Sequence, residues 1–472
     1  MIGKPNRLML AIALAASPGA VFAAGLEEVV VTATKRAVSQ QDVPVAVTGI
    51  TSDALDKRGI TETTDLSGSA PNLVVSSPFG RAQPNFSIRG ISVANEYNSN
   101  AASPIGVYIN EDYKQFRPTH GMQLFDLDRV EVIRGPQGTL FGRNTTGGAI
   151  SVTTVKPQIG SVGEVSGFVN GRYGKFDRKS LTGAVETTLV EDVLAVRVAG
   201  TWNEGDGYIE NKTPSEIPSF LSNLSAFDPD LAPFAGQMIP VDSVHNEDYA
   251  GVDDYAVRLT VAFEPTDNFD ATLVYLHGEN DTTSVAITPN FINDHDGDPS
   301  TPDTDAFFYT REQFGLGRLE SASNDAGVFA TEVDDITLTM NLQLTDSLTL
   351  TNIFGYLEGQ YELANDCDGM PYTSCYQRFN SDFDQLNQDL RISWEGERAR
   401  FIAGIYYGED SLSEVDDKEF FSPLNELAAI GAIPAFNAPV DDMFWKHLRA
   451  EALRVSFSLQ VTWKQSTPVH FH

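Results

Sequence analysis

Basic residues are scarce in this sequence. Lysines and arginines total 32 against 65 aspartates and glutamates, and the formal net charge is -33 at pH 7. A chain of this charge repels phosphate backbones, which excludes a nucleic-acid partner. After the N-terminal stretch, the sequence also lacks any run of about eighteen apolar residues, which excludes a helical membrane protein. It does not exclude a transmembrane barrel, because barrel strands alternate apolar and polar residues.

Catalytic signatures are absent as well. The sequence contains no GxSxG, HExxH or Walker A string, and its seven histidines show no spacing typical of metal ligands. We therefore expect no catalytic residues, no metal site and no cofactor, and we do not expect an enzyme.

The N-terminus has the features of a secretory signal peptide. Lys4 and Arg7 precede an apolar core from Leu8 to Ala16, and Val21 and Ala23 are small residues at the spacing that a signal peptidase recognises. We expect cleavage after Ala23, so that residues 1–23 form the signal peptide and the mature chain lies outside the cytoplasm.

Two regions with different sequence patterns precede residue 158. Residues 24–41 are extended and rich in β-branched side chains, whereas residues 42–157 mix short helices and strands and form an α+β domain. A helix is predicted from Ser52 to Arg58, capped by Thr51 or Ser52 and ended at Gly59.

Residues 158–445 show the period-two alternation of antiparallel strands. Each predicted strand has about the nine to eleven residues that a tilted strand needs to cross a bilayer. The predicted strands are Glu164–Tyr173, Leu181–Val190, Val193–Asn203, Asp254–Phe263, Phe269–Gly278, Asp335–Leu344, Leu348–Tyr356, Gln385–Trp394 and Arg400–Tyr407, with a tenth possible within Ala452–Trp463.

The connections between these strands alternate in length. Tight turns at Glu191–Asp192, Glu264–Asn268, Thr345–Ser347 and Glu395–Glu397 alternate with long acidic links at Glu204–Asp253, Glu279–Asp334 and Glu358–Asp384. This asymmetry is typical of an outer-membrane barrel, with the tight turns in the periplasm and the outer faces of the strands against outer-membrane lipid. A soluble β-sandwich is the alternative.

Aromatic residues near strand ends, among them Trp202, Tyr275, Trp394, Tyr406 and Tyr407, fit an interfacial girdle.

Four strings in the first third of the chain carry a family resemblance. They are EEVVVTATKR (residues 27–36), DVPVAVTGIT (42–51), FSIRGI (86–91) and LDRVEVIRGPQGTLFGRNTTGGAISV (127–152). The chain resembles the TonB-dependent receptors of the Gram-negative outer membrane. The resemblance implies a plug domain inside an antiparallel membrane β-barrel of about 22 strands. Asn110 in GVYINEDY departs from the aspartate that is common in the family, and we expect the turn to be retained.

The resemblance also implies roles for individual residues. Glu28, Val29, Val30, Val31, Thr32, Ala33 and Thr34 match the TonB box, which pairs as an added strand with a TonB-type periplasmic energy-coupling protein. A flexible, extended segment with free backbone groups suits such pairing. Arg89 and Arg134 resemble plug arginines that contact the barrel wall. Salt bridges to Glu131 or Asp128 within the plug are the alternative.

The expected function is active import of a large ligand, most plausibly a ferric siderophore. A carbohydrate or cobalamin receptor, a passive porin and a non-transporting remnant are the alternatives. Arg81, Asn95, Tyr97 and Asn98 are candidate ligand contacts, with solvated loop residues as the other interpretation. The chain has about ten predicted strands against about 22 in the family, and the acidic character ends before residues 446–472. We therefore expect an incomplete barrel and an atypical tail, with a frame shift as one explanation of the tail.

Cys367 and Cys375 are the two cysteines of the chain. In a secreted protein, two cysteines eight positions apart around a glycine and a proline predict a disulfide that closes a loop.

Replacement of both Cys367 and Cys375 by serine should loosen one outer loop and leave barrel assembly unchanged, because the disulfide closes a short local ring. Thiol titration of the purified protein checks the pairing. Two reactive thiols in the folded outer-membrane form would contradict it.

Overall fold

The computed structural model describes residues 30–36, 38–78, 83–93, 102–121, 124–218, 236, 238–240, 248–283, 315–325, 327–366, 369, 371, 375–397, 399–420 and 457–471. The predicted signal peptide 1–23, Cys367 and the predicted ligand contacts Arg81, Asn95, Tyr97 and Asn98 lie outside these residues. Of the predicted tail 446–472, the strand Phe457–Phe471 lies within them.

The first part of the described chain is a small mixed α/β domain, the plug domain. Its sheet has the strand order β3-β8-β9-β6-β7, in which β6 and β9 run parallel and the other pairs run antiparallel. Two further pairs, β1-β2 and β4-β5, are antiparallel. These strands are β1 (Val30–Val31), β2 (Val38–Ser39), β3 (Ala46–Thr51), β4 (Leu73–Ser76), β5 (Asn85–Ile88), β6 (Ile105–Ile109), β7 (Asp112–Lys114), β8 (Leu127–Arg134) and β9 (Gly148–Thr154).

The predicted helix is present over Ser52–Arg58. The Thr51 side chain caps its start by accepting a hydrogen bond from the backbone N–H of Ala54, and Gly59 ends it in the left-handed conformation with a φ of 67°. Leu55 packs from this helix into the apolar core of the plug domain. The remaining helical turns are Gln40–Asp42, Thr63–Leu66, Arg117–Thr119 and Gly138–Phe141.

A large antiparallel sheet, here called the wall, follows the plug domain. Its order is β10-β11-β12-β16-β17-β19-β20-β21-β22-β23, and its outer strands are not paired with each other. The four short strands β13, β14, β15 and β18 form two small pairs in the links. The strands are β10 (Val165–Tyr173), β11 (Lys179–Val190), β12 (Leu194–Gly205), β13 (Glu210–Asn211), β14 (Glu216–Pro218), β15 (Met238–Pro240), β16 (Val252–Thr266), β17 (Phe269–Thr282), β18 (Glu320–Ser321), β19 (Val328–Thr345), β20 (Leu348–Asp366), β21 (Cys375–Glu395), β22 (Arg400–Phe420) and β23 (Phe457–Phe471).

This architecture confirms the predicted fold class, an antiparallel, incomplete barrel with an N-terminal α+β plug. All nine predicted strands are present, and each of the four predicted tight turns joins two neighbouring strands of the wall. The wall is an open sheet, and the side chains of Phe116 and Phe125 of the plug pack against its inner face.

The predicted lengths of the later strands are wrong. β20 continues to Asp366 and β21 begins at Cys375, so most of the predicted link Glu358–Asp384 is strand. The residues there alternate, with Tyr361 and Leu363 buried on the inner face. Glu358, Asp382 and Asp384, which suggested a loop, are exposed. A strand of 21 residues, such as β21, is about 70 Å long, which is more than a bilayer requires. These hairpins therefore extend beyond the membrane.

The outer face of the wall carries the apolar side chains that lipid requires. Trp202, Phe263, Tyr275 and Trp394 are each 38% exposed on this face. Tyr406 was predicted there but lies on the inner face, where its hydroxyl donates to Asn387 Oδ1 at 2.7 Å. Adjacent residues of a strand face opposite sides, so Tyr406 and Tyr407 cannot both face lipid.

The longest helix in the described ranges, Ser52–Arg58, has seven residues, and none there meets the length and hydropathy of a membrane span.

Buried polar contacts attach the plug domain to the wall. The Lys114 amine, with no exposed side-chain surface, lies 2.7 Å from Asp112 of the plug and 2.6 Å from Asp335 of β19. Further along, the Asn387 amide donates to the backbone oxygen of Tyr113 at 2.7 Å. Because unpaired buried charges are costly, these contacts fix where the plug sits against the wall.

Lys114→Met should weaken attachment of the plug by about 3–5 kcal/mol, because it leaves two buried carboxylates without their cation. The denaturant concentration at which the plug becomes accessible to protease measures this. Lys57→Met, which removes a cation from an exposed pair with Asp53, is the matched control and should change little. Equal sensitivity of the two variants would contradict the assignment.

Candidate functional site

The N-terminal segment Val30–Lys35, here called the docked segment, lies on the plug domain. Val30 pairs with Ser39 and Val31 with Val38, which forms the β1-β2 ladder. A tight turn ends the segment: the Lys35 backbone N–H donates to the Thr32 oxygen at 2.7 Å, and Lys35 has a φ of 58°.

Two apolar side chains of the docked segment are fully buried. Val31 and Ala33 have no exposed surface. They belong to an apolar cluster that also contains Val47, Tyr108, Tyr113, Ile133, Phe141 and Ala149. Because successive side chains of an extended segment alternate, Thr32 between them points to a different group of the plug.

That group is the buried carboxylate of Glu131 on β8, which is 0% exposed. The backbone N–H of Thr32 donates to both carboxylate oxygens at 2.8 and 2.9 Å, and the Thr32 hydroxyl donates at 2.9 Å. Arg129 Nε donates to the same carboxylate at 2.9 Å. Thr32 therefore supplies part of the compensation that this buried charge needs.

Lys35 ends the docked segment inside a cage of aromatic rings. Its amine lies 5.0 Å from the centre of the Tyr108 ring and 4.5 Å from that of Phe141, within the range of cation–π attraction. The nearest carboxylate is Glu111, at 3.7 Å. Burial lowers the pKa of Lys35, and the charge of Glu111 opposes this effect.

The structure therefore places most of the predicted coupling strand against the plug. Glu28 and Val29 lie outside the described residues, whereas Val30, Val31, Thr32, Ala33 and Thr34 are within the docked segment. In the structure, β2 pairs with Val30 and Val31 of β1, and Glu131 binds the N–H of Thr32, so these three residues are paired with the plug. The role of the segment as the coupling strand stays a prediction.

Arg89 and Arg134, the predicted wall contacts, lie close to each other on the plug. Arg89 follows β5 with a φ of 54°, and Arg134 ends β8. In the part of the chain that the structure describes, neither forms an ion pair with the wall. Glu131 and Asp128, their alternative partners, pair with Arg129. Contact of the two arginines with the wall stays a prediction.

The observed links between plug and wall come from residues that sequence reasoning missed. Glu111, Asp112 and Lys114 all belong to the string GVYINEDYK, and Arg391 of β21 donates to Glu111 Oε2 at 2.7 Å. On the other side of the plug, Arg197 of β12 lies 2.5 Å from Asp126.

Asn110 retains the predicted turn, with a φ of 50°. The sequence does contain one signal for this site: a glutamate follows Asn110 at a turn position where such turns favour glycine.

Two cavities separate the plug from the wall. One of about 370 Å³ lies between the helix Ser52–Arg58 and the inner faces of β10, β11, β12 and β16. The other, of about 300 Å³, is lined by Lys35, Tyr108 and Phe141 of the plug side and by Arg391 and Tyr406 of the wall. Both are at the small end of ligand-site volumes.

One group of side chains on the wall has ligand atoms close enough for a cation. His277 and Glu279 of β17 and Glu332 of β19 bring such atoms within 4.8 Å of one another. The pairing of β17 with β19 creates this group, which is why residue spacing along the sequence did not indicate it. His277 Nδ1 lies 3.1 Å from Asp334, which competes for the same ring.

Comparison with known families identifies the first domain. Residues 39–149 match the TonB-dependent Receptor Plug Domain. This range contains the five-stranded sheet, the helix Ser52–Arg58 and the turn that carries Glu111.

Several outer-membrane receptors are similar in sequence. The chain is 29% identical to the pesticin receptor of Yersinia pestis over 164 residues, which are 34% of this chain and 24% of that receptor. It is 30% identical to the iron-regulated outer membrane virulence protein of Vibrio cholerae over 191 residues, 38% of this chain and 28% of that protein. The chain thus aligns with about a quarter of the length of these relatives.

Solved receptors share the fold. The ferric yersiniabactin uptake receptor of Yersinia pestis superposes with a TM-score of 0.61 at 17% identity, covering 80% of this chain and 50% of that one. The ferripyoverdine receptor of the outer membrane of Pseudomonas aeruginosa gives 0.55 at 13% identity, covering 83% and 45%. Residues 39–149 thus belong to the TonB-dependent receptor plug family, and the plug domain with its open antiparallel sheet has the fold of these solved outer-membrane receptors.

Proposed function

We propose that the protein takes part in active import across the outer membrane, with a ferric siderophore as the ligand and a TonB-type periplasmic protein as the source of energy. The partner protein pairs with residues Glu28–Thr34 as an added strand. Pulling on this strand shifts the plug domain and widens the space along the wall.

The relatives support the choice of ligand class. The receptors that resemble this chain include a pesticin receptor, an iron-regulated outer membrane virulence protein and, at 23% identity over 268 residues, the ferrioxamine B receptor of Salmonella typhimurium. Two of the similar solved structures are named for ferric yersiniabactin and ferripyoverdine. Iron carried by an organic chelator is common to the last three names.

The observation that carries the proposal is the docked segment itself. It is held by a two-residue ladder, two small buried side chains and the contacts of Thr32 and Lys35. A typical hydrogen bond contributes only about 1 kcal/mol net, and one to a charged group about 1.5–3 kcal/mol. A partner strand that forms its own ladder with the segment replaces part of this energy, so exchange from the plug to the partner is feasible.

Ligand capture is assigned to the side of the wall with the long links. Arg81, Asn95, Tyr97 and Asn98 remain the proposed contacts on the plug. The adjoining outer links are tied together: the Asn211 side chain donates to the Ser323 backbone oxygen at 3.0 Å, and Lys212 pairs with Glu320 at 2.6 Å. Such contacts hold the outer links in a fixed arrangement for a ligand.

Val30→Pro should abolish uptake and leave ligand binding intact, because proline removes a ladder donor and bends the coupling strand. Uptake and surface binding are measured with radioactive iron in a panel of yersiniabactin, pyoverdine and ferrioxamine B. Val30→Thr, which keeps the N–H and the β-branch at a half-exposed position, is the control and should transport normally. Full uptake by Val30→Pro would contradict the coupling assignment. No uptake of any chelate by the unaltered chain would contradict import itself.

A further inference from the structure

The turn between β6 and β7 carries an unusual residue. Ile109 pairs with Asp112, so Asn110 and Glu111 form a two-residue turn, and both have positive φ angles, 50° and 69°. Such turns favour asparagine followed by glycine, because glycine has no Cβ to strain in the left-handed region. Glutamate at the second position is strained, and strain of this kind persists where the side chain has a role that glycine cannot fill.

The Glu111 side chain joins three parts of the protein. Its Oε2 atom accepts a hydrogen bond from Arg391 of the wall at 2.7 Å. The same Oε2 atom is 3.7 Å from the amine of Lys35 in the docked segment. A single carboxylate oxygen of the plug therefore faces a cation of the wall and a cation of the docked segment, and only the wall cation is within hydrogen-bond distance.

The charges around this oxygen favour the wall cation. Burial opposes ionisation of Glu111, but the charges of Arg391 and Lys35 outweigh it and lower the pKa of this carboxyl to about 2, so it is ionised at neutral pH. The charge of Arg391 also adds to the lowering of the Lys35 pKa by burial. The two cations repel each other, and the adjacent cavity of about 300 Å³ leaves the Lys35 amine room to move.

We propose that Arg391 and Lys35 compete for the carboxylate of Glu111, so that the contact between wall and plug sets how firmly the docked segment is held. Arg391 is thus a positioning residue that acts through Glu111. When the wall withdraws Arg391 from Glu111, Lys35 closes on the carboxylate and the segment is held more tightly. When Arg391 engages Glu111 fully, the segment is released more easily. The link to energy coupling rests on the proposed function, whereas the competition itself does not.

Labelling of a buried reporter tests the competition in the full chain. The reporter is Val31→Cys, at a position with no exposed surface, in a background with Cys367→Ser and Cys375→Ser. A polar maleimide reacts with it only when the segment leaves the plug. Glu111→Gly should speed labelling about tenfold, since it removes one charged contact of the segment and relieves the turn. Arg391→Met should slow labelling several-fold.

The combination of Glu111→Gly and Arg391→Met decides the mechanism. It should label close to the rate of Glu111→Gly alone, because the competition passes through the carboxylate and the direct repulsion between the two cations adds only a small effect. Val132→Cys, with no exposed surface in the apolar cluster beneath the helix Ser52–Arg58 and outside the cluster of the docked segment, reports global opening and should stay unreactive in every variant. Arg400→Met, which removes an exposed cation from a turn of the wall, should leave labelling unchanged.

Two other outcomes overturn the proposal, and a third separates the competition from the coupling role of the segment. If Arg391→Met speeds labelling as Glu111→Gly does, Arg391 only holds the plug in place. If neither substitution changes the rate, Glu111 does not position the segment. Opposite effects on labelling combined with normal uptake by Val30→Pro would support the competition and contradict the coupling role of the segment.

Discussion

The plug domain connects to the rest of the protein through four carboxylates, three of them buried and one, Glu111, with 34% of its side chain exposed, and each is matched by a donor or a cation. Glu131 binds the docked segment, Asp112 and Asp126 bind the wall, and Glu111 faces both. Pairing of buried charges requires closely defined geometry, because loss of one partner leaves an uncompensated charge. These few residues therefore determine where the plug sits and where the N-terminal segment lies.

The apolar clusters are likewise divided among the interior of the plug, its contact with the wall and its contact with the docked segment. One cluster fills the interior of the plug between its sheet and the helix Ser52–Arg58. A second joins Phe116 and Phe125 of the plug to the inner face of the wall, and a third holds Val31 and Ala33 on the plug. The plug thus has a core of its own, while its contacts to wall and segment combine small apolar clusters with ion pairs. This combination suits a domain that keeps its fold while its position changes, because ion pairs can be exchanged between partners without opening the core.

The strands could be predicted from sequence because alternation of apolar and polar residues is a local signal, and the tight turns lie where the alternation breaks. The acidic extensions of β20 and β21 were missed because acidic residues on an outward face resemble a loop. Site contacts were missed because they join distant positions: Thr32 and Glu131 are 99 residues apart, and Glu111 and Arg391 are 280 apart. Strand periodicity carries no information on such pairs. The only sequence signal for Glu111 is that glutamate is an unusual residue at this position of a turn.

Hydrogen exchange at the backbone amide of Thr32 tests the central claim most directly. This amide donates to both oxygens of a fully buried carboxylate, so exchange requires the docked segment to leave the plug. In the intact chain, the account predicts that Thr32 exchanges orders of magnitude more slowly than an unstructured residue, although it lies at the start of the described chain. Exchange of Thr32 at the rate of an unstructured peptide would contradict the docked segment and the roles that depend on it.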